Sequence, residues 1–258
     1  MLYNIAIIGG GNLGSSIARL LVMNGYGNNL TISDKNPNVD IIKSGLYSLL
    51  TYENIEKSDT IFISVKPNVV YDILNDIRSY GDENKLIIST AEGVSIDYIQ
   101  KKLNSDNYPI IRMMPNLPIS MTKGSITYFP NKNVNVNLIH DMKTILNGPF
   151  IYQVNNEKLI DVSTILTASM PAHINYIAES CIKFGIDNGF EKQESIDLFV
   201  STLNGTVDML KQNATTDIIK KVATENGVTR QGLNNMDLKD INKNISYNHL
   251  KSIKKLLD

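Results

Sequence analysis

Gly9, Gly11 and Gly14 stand in the stretch IIGGGNLGSSIARLL, Ile7 to Leu21, between an apolar run and an amphipathic pattern. The spacing is G-x-G-x-x-G. It follows a predicted strand and opens a predicted helix, the context that makes the pattern informative. Each glycine has its own physical reason. The first permits a tight turn, the second lets the backbone approach a pyrophosphate, and the third lets helix and strand pack closely. Asn12 and Leu13 begin the helix, whose amino-terminal N–H groups would point at the anion. The chemistry implied is dinucleotide binding, and the alternative is a glycine-rich turn with no ligand. Asp34 ends the second predicted strand, about 20 residues beyond the motif, where a carboxylate accepts the ribose hydroxyls of NAD. The same carboxylate would repel the extra phosphate of NADP, and Lys35 beside it could oppose that repulsion. Asp34 also reads as a turn residue before Lys35-Asn36-Pro37. The cofactor expected is NADPH or NADH, with a slight lean to NADH.

Further candidates lie at the carboxyl ends of later strands, where the cofactor crevice of such a sheet opens. Val65, Lys66 and Pro67 follow TIFISV. Lys66 could approach phosphates or ribose, or be a surface lysine before a proline turn. Ala91 and Glu92 follow KLIIST, and Met114 to Asn116 follow IIRMM. These would border the nicotinamide. Asn116 could hydrogen-bond the carboxamide, or cap the turn set by Pro115 and Pro118.

The elements that must position these residues alternate. Strands are predicted at Leu2–Ile8, Asn29–Ser33, Thr60–Val65, Lys85–Thr90, Ile110–Met114, Ser125–Phe129 and Phe150–Gln153, with a helix over Asn12–Asn24. Strands alternating with helices imply crossover units and a mainly parallel sheet. After about Asn155 only helical patterns remain: 155–189 interrupted at Pro171, then 192–211, a third from Asp217 to Ala223, and Lys239–Leu257 at the close. The fold class is α/β, with an amino-terminal Rossmann-type dinucleotide-binding domain over 1–154 and an all-helical domain over 155–258. The segment 155–189 is too apolar all round for one exposed helix, so it must be covered on several sides.

Composition narrows the classes. The 25 basic and 26 acidic side chains give a formal net charge of −1, without the positive field of a nucleic-acid binder. No apolar run approaches the ~18 residues of a membrane span. A single cysteine, Cys181, cannot form an internal disulfide and points weakly to the cytoplasm. It lies in an apolar helical run and reads as a buried structural thiol, with a reactive thiol as the alternative. No set of His, Cys and carboxylates has metal-ligand spacing. Of three histidines, His173 is the candidate proton donor, against a hydrogen-bonded helix histidine.

More motifs follow in order: SVKP at 64–67, STAEGVSIDYI at 89–99, RMMPNLP at 112–118, EKLIDVSTILTASMPA at 157–172 and GVTRQGL at 227–233. With the glycine motif they resemble the pyrroline-5-carboxylate reductase family over nearly the whole chain. That resemblance implies hydride transfer from NAD(P)H to the cyclic imine of pyrroline-5-carboxylate, giving L-proline. It implies that 155–258 is a dimerisation and substrate domain, interlocked in a homodimer and sometimes built into larger rings, and that NADPH is favoured. Thr229 matches the threonine of the family's substrate loop, where a hydroxyl could hold or protonate the imine nitrogen. The N–H groups of Gly227, Val228 and Thr229 could cradle the substrate carboxylate, with Ser169 and Asn226 as further substrate-binding candidates. The chain departs from the family at Met170 and His173, where it usually has glycine and an aromatic, and at Glu225 and Asn226, where it has proline and glycine. Asn226 can still take a left-handed conformation. These changes leave two alternatives beside proline formation: reduction of another imine, and a dinucleotide-binding regulator without catalysis.

Overall fold

The computed structural model describes residues 4–37, 45–46, 52–236, 240 and 243. The predicted closing helix, 239–257, and the first two residues of the predicted first strand lie outside the described residues, apart from 240 and 243.

Seven short apolar runs form one sheet: β1 (Ile5–Ile8), β2 (Leu30–Ser33), β3 (Thr60–Ile63), β4 (Leu86–Ser89), β5 (Ile110–Pro115), β6 (Ser125–Pro130) and β7 (Phe150–Gln153). The order is β2-β1-β3-β4-β5-β6-β7. The five strands β2, β1, β3, β4 and β5 are parallel, β6 runs antiparallel to β5, and β7 is parallel to β6. Strands β1, β3 and β4 are buried along their whole length. The reason is coverage on both faces, which turns an alternating pattern into a continuous apolar one.

Alternate residues supply the two cores. Ile5, Ile7, Phe62, Ile88 and Ile111 pack with Ile17, Leu20 and Leu21 of α1 (Asn12–Met23) and with Met142 and Ile145 of α5 (Val136–Ile145). Ile8, Ile61, Ile63 and Ile87 pack on the other face with Ile73, Leu74 and Ile77 of α3 (Val70–Tyr80) and Ile99 and Leu103 of α4 (Ile96–Leu103). A short α2 spans Tyr52–Lys57. Ser95 and Asn135 cap α4 and α5 by accepting the N–H of Tyr98 and Leu138, the N-cap contact that satisfies an otherwise orphan helix donor.

Beyond β7 come α6 (Lys158–Ser163), a π-helical turn at Thr164–Ala168, α7 (Met170–Asp187), α8 (Lys192–Gln212), α9 (Thr215–Val222) and α10 (Val228–Asn234). The chain divides into two compact units between Pro171 and Ala172. The expected boundary near Val154 marks where strands end, but the first unit continues through α6 and the π-turn. Ile160 of α6 packs with Met114 of β5 and with Val154. The long helix predicted over 155–189 is broken at the π-turn, just before Pro171. In the second unit only Ala178 is buried among the described residues of α7, because a single chain covers little of this helix. Cys181 is therefore exposed, which corrects the expectation of a buried thiol. Among the described residues no helix is long and apolar enough to cross a membrane.

Candidate active site

The sheet reverses direction of winding at β1, which lies between β2 and β3. A crevice opens outside the carboxyl ends of strands at such a point. The loop after β1 occupies it. Gly9 has φ +105°, and a Cβ there would sit 2.4 Å from the Ser64 carbonyl oxygen at the end of β3. Its N–H donates to the Ser33 carbonyl at 2.7 Å, so the ends of β1, β2 and β3 are drawn together at this residue. A Cβ on Gly14 would lie 1.9 Å from the Gly9 carbonyl oxygen. Thus helix and turn meet backbone to backbone. Gly11 differs: a Cβ there meets nothing within 4 Å, and its φ of −64° suits any residue. The fold makes no demand for glycine at 11. Close approach of a ligand to the backbone is the physical reason that remains. Gly11 is the N-cap of α1, no side chain caps that terminus, and no acid stands in its first turn. An anion is favoured there by the helix dipole and the free N–H groups. Asn12 is exposed at this turn, and Leu13 packs partly against the core. These residues fit a pyrophosphate.

Asp34 follows β2 and is half-buried. Its Oδ2 accepts the Gly10 N–H at 2.6 Å, and its Oδ1 accepts the Asn36 N–H at 2.7 Å. The carboxylate makes the Asx turn that the sequence allows, and it stands against the glycine loop. Lys35 is exposed. Its positive charge acts on Asp76 of α3, whose carboxyl is held above its ordinary range first by burial and then by Asp72, with Lys35 opposing.

At the ends of β3 and β4 the Ser64 and Thr90 hydroxyls lie 3.0 Å apart, and the Thr90 N–H donates to the Ile63 carbonyl at 3.0 Å. Sequence reasoning passes over both hydroxyls, although Ser64 is the first polar residue after its apolar run and Thr90 follows Ser89 in the same position. Val65 is half-buried, Lys66 exposed, and Pro67 begins a 3-10 turn at 67–69. Ala91 is buried with its side chain in a core cluster, so only its backbone faces the strand end. Asn116 is engaged within the fold. Its amide nitrogen donates to the Thr167 carbonyl and to the Ser125 hydroxyl, and its oxygen accepts the Ser125 N–H at 3.1 Å. The side chain is engaged by the protein at both ends and is buried.

Ser169 closes the π-turn, its N–H donating to the Thr164 carbonyl at 2.8 Å. The remaining substrate candidates belong to the second unit. His173 is half-buried in the first turns of α7. Asn226 has φ +64°, the left-handed conformation the sequence allows. Gly227 is the N-cap of α10, so Val228 and Thr229 lie in a helical first turn rather than in an open loop. The Gly227 N–H is already donated to the Thr224 carbonyl at 3.0 Å, which removes it from the expected amide cradle. Val228, Thr229 and Glu225 are exposed.

Two family models match the chain. Residues 157–255 match pyrroline-5-carboxylate reductase dimerisation, and residues 4–93 match the NADP oxidoreductase, coenzyme F420-dependent family. The pyrroline-5-carboxylate reductase of Corynebacterium melassecola is 25% identical over 216 residues, covering 81% of this chain and 80% of that one. Pyrroline-5-carboxylate reductase 2 of Dictyostelium discoideum is 28% identical over 91% of this chain and 85% of its own. A solved structure of Plasmodium falciparum pyrroline carboxylate reductase with NADP bound superposes with a TM-score of 0.88. It is 25% identical over 98% of this chain and 97% of that one. A nicotinamide dinucleotide is the cofactor class that these matches support. With its glycine corner, its mainly parallel sheet and its helical 157–255 segment, the chain is similar over most of its length to pyrroline-5-carboxylate reductases.

Proposed function

We propose that this chain reduces a cyclic imine with NAD(P)H, converting pyrroline-5-carboxylate to L-proline. The observation that carries this reading is Gly11. It is a glycine the fold does not require, placed at an uncapped helix terminus in a chain whose relatives are pyrroline-5-carboxylate reductases. The bound nicotinamide supplies the hydride. The protein supplies position and electrostatics. Gly9, Gly11, Asn12, Leu13 and Gly14 hold the pyrophosphate, and Asp34 holds the adenosine ribose beside Lys35. Val65, Lys66, Pro67 and the Ala91 backbone line the strand ends. At the imine end Thr229 holds or protonates the ring nitrogen. His173 is the second candidate donor, because its ordinary pKa lies near neutrality. Ser169, Asn226, Gly227 and Val228 complete the substrate end, Gly227 without its N–H.

Steady-state oxidation of NADH and of NADPH with pyrroline-5-carboxylate tests the reading directly. Turnover in the ordinary enzymatic range, on the order of 1–10³ per second, is the expected result. Cofactor binding without turnover would move the function to another imine or to a regulator. Met170, His173 and Glu225 would then be the residues to restore to the family pattern.

The same reading makes the protein a homodimer. In a single chain Tyr176 is 79% exposed and Phe184 70%, with Ile177, Leu198 and Val200 also uncovered on α7 and α8. Exposed apolar area of this kind marks an interface. Light scattering is expected to give about twice the 28.7 kDa chain mass, or a multiple of it for a ring of dimers. A mass of one chain would contradict it. The cytoplasm, where thiols stay reduced, is the setting that suits a chain with a single cysteine.

A further inference from the structure

The RMMPN motif has a use the cofactor does not explain. Side chains alternate along a strand, and Arg112, Met114 and Asn116 fall on one alternation. All three meet the segment that follows β7. Arg112, nearly fully buried, donates to Glu157 at 3.3 Å and, through its other terminal nitrogen, to Asp161. Glu157 also accepts the Ile96 N–H at 2.8 Å, which ties the start of α4 to the same point. Met114 packs on Ile160, with Ala168 against the same cluster. Asn116 donates to the Thr167 carbonyl inside the π-turn. Gly124 supports that seat. It has φ +80°, and a Cβ there would fall 2.2 Å from Asn116 Oδ1, so the amide can enter only because 124 is glycine.

A π-turn within a helix is rare and often marks a functional site. Here it ends at Ser169, one residue before the departures from the family pattern begin at Met170. We infer that Arg112, Met114 and Asn116 form a clamp that fixes the π-turn 164–168. On this inference Asn116 is a positioning residue for Ser169, acting on the imine end of the site rather than on the cofactor. This rests on the imine-reductase reading above. Arg112 and Met114 fix where the helical segment begins on the sheet. Asn116 fixes its far end, where an extra residue per turn would otherwise slide back into a regular α-helix and rotate Ser169.

Asn116→Asp isolates the contact. The aspartate keeps an oxygen for the Ser125 N–H and loses the donor to the Thr167 carbonyl. The expected result in the full-length protein has three parts: an NADH dissociation constant within about twofold of wild type, turnover of pyrroline-5-carboxylate about ten- to hundredfold lower, and faster amide exchange over 164–169. Asn116→Ser, which is too short to reach both partners, serves as the second variant if the aspartate does not fold. Unchanged exchange over 164–169 overturns the clamp. Faster exchange with unchanged turnover overturns the positioning role. A tenfold weaker NADH affinity with unchanged exchange would return Asn116 to the nicotinamide and overturn both. If wild type binds NADH but does not turn over pyrroline-5-carboxylate, the functional reading has failed, and the exchange comparison alone still decides the clamp.

Discussion

Gly14→Ala is expected to destabilise the first unit severely, whereas Gly11→Ala is expected to leave it folded and unable to hold its cofactor. The two glycines are three residues apart, and the contrast separates what the fold requires from what the ligand requires. At Gly14 the new Cβ would lie 1.9 Å from the Gly9 carbonyl oxygen and 3.0 Å from the Gly9 carbonyl carbon. Both are backbone atoms, so no side chain can swing aside. Gly9 cannot retreat, because its N–H is committed to Ser33 and its own Cα lies against Ser64. Overpacking of this kind costs about 3 kcal/mol or more, out of a total stability of roughly 5–15 kcal/mol. For a chain of this size that corresponds to a fall in Tm of roughly 6–12 °C. At Gly11 an alanine is compatible with φ −64° and touches no protein atom. Replacing glycine by alanine at an N-cap costs about 1 kcal/mol or less, so Tm should move by about 4 °C or less. The methyl would occupy the place where the pyrophosphate approaches the backbone, and the NADH dissociation constant is expected to rise about a hundredfold. Calorimetry with fluorescence titration of NADH reads both variants. Should Gly11→Ala bind NADH as wild type does, the pyrophosphate does not lie at this turn, and the assignment of the glycine motif fails.

The glycine corner was legible in the sequence because its causes are local. An apolar run, three glycines and an amphipathic helix follow one another within 15 residues or so, and the physics of the turn acts over that range. The strands were legible for a related reason, since burial on both faces makes each a continuous apolar run. What sequence could not show depends on contacts across long separations. The reversal of β6 against β5 leaves no mark, because IIRMM and SITYF have the same composition in either direction. The unit extends past Val154 because Arg112 meets Glu157 and Asp161, 45 and 49 residues away. From its place at a strand end Asn116 reads as a cofactor residue or a turn cap, and neither reading contains its contacts with Ser125 and Thr167. The alternation of Arg112, Met114 and Asn116 was the available signal, obscured because a strand end also lies there. Cys181 was misplaced for a different reason: an apolar helix reads as buried whether its cover comes from its own chain or from a partner.

Asp34→Asn is expected to raise the ratio of kcat/KM for NADPH over NADH by about ten- to hundredfold. In the wild type NADH should be preferred. The cause lies in the two hydrogen bonds that fix the carboxylate. Oδ2 accepts from Gly10 at 2.6 Å and Oδ1 from Asn36 at 2.7 Å, so the group cannot turn away when a ligand arrives. A carboxylate is an acceptor that suits the hydroxyls of a ribose. It leaves no accommodation for a phosphate. Two unit charges 4 Å apart repel by about 4 kcal/mol at an effective dielectric of 20, and partial exposure reduces that to roughly 1–3 kcal/mol, the stated ten- to hundredfold. Lys35 is exposed beside Asp34, where water screens its charge, and offers partial relief. Asparagine keeps one acceptor and loses the charge. It also weakens the brace on Gly10, but that loss falls on both cofactors and cancels in the ratio. The opposing observation is that the Plasmodium falciparum relative was solved with NADP bound and that residues 4–93 match an NADP oxidoreductase family. The ratio resolves the conflict. A wild type that favours NADPH, with a ratio unmoved by Asp34→Asn, would mean that the carboxylate braces the glycine loop and nothing more. The adenosine phosphate would then be met by residues other than Asp34, and Lys35→Ala would be the variant that exposes them.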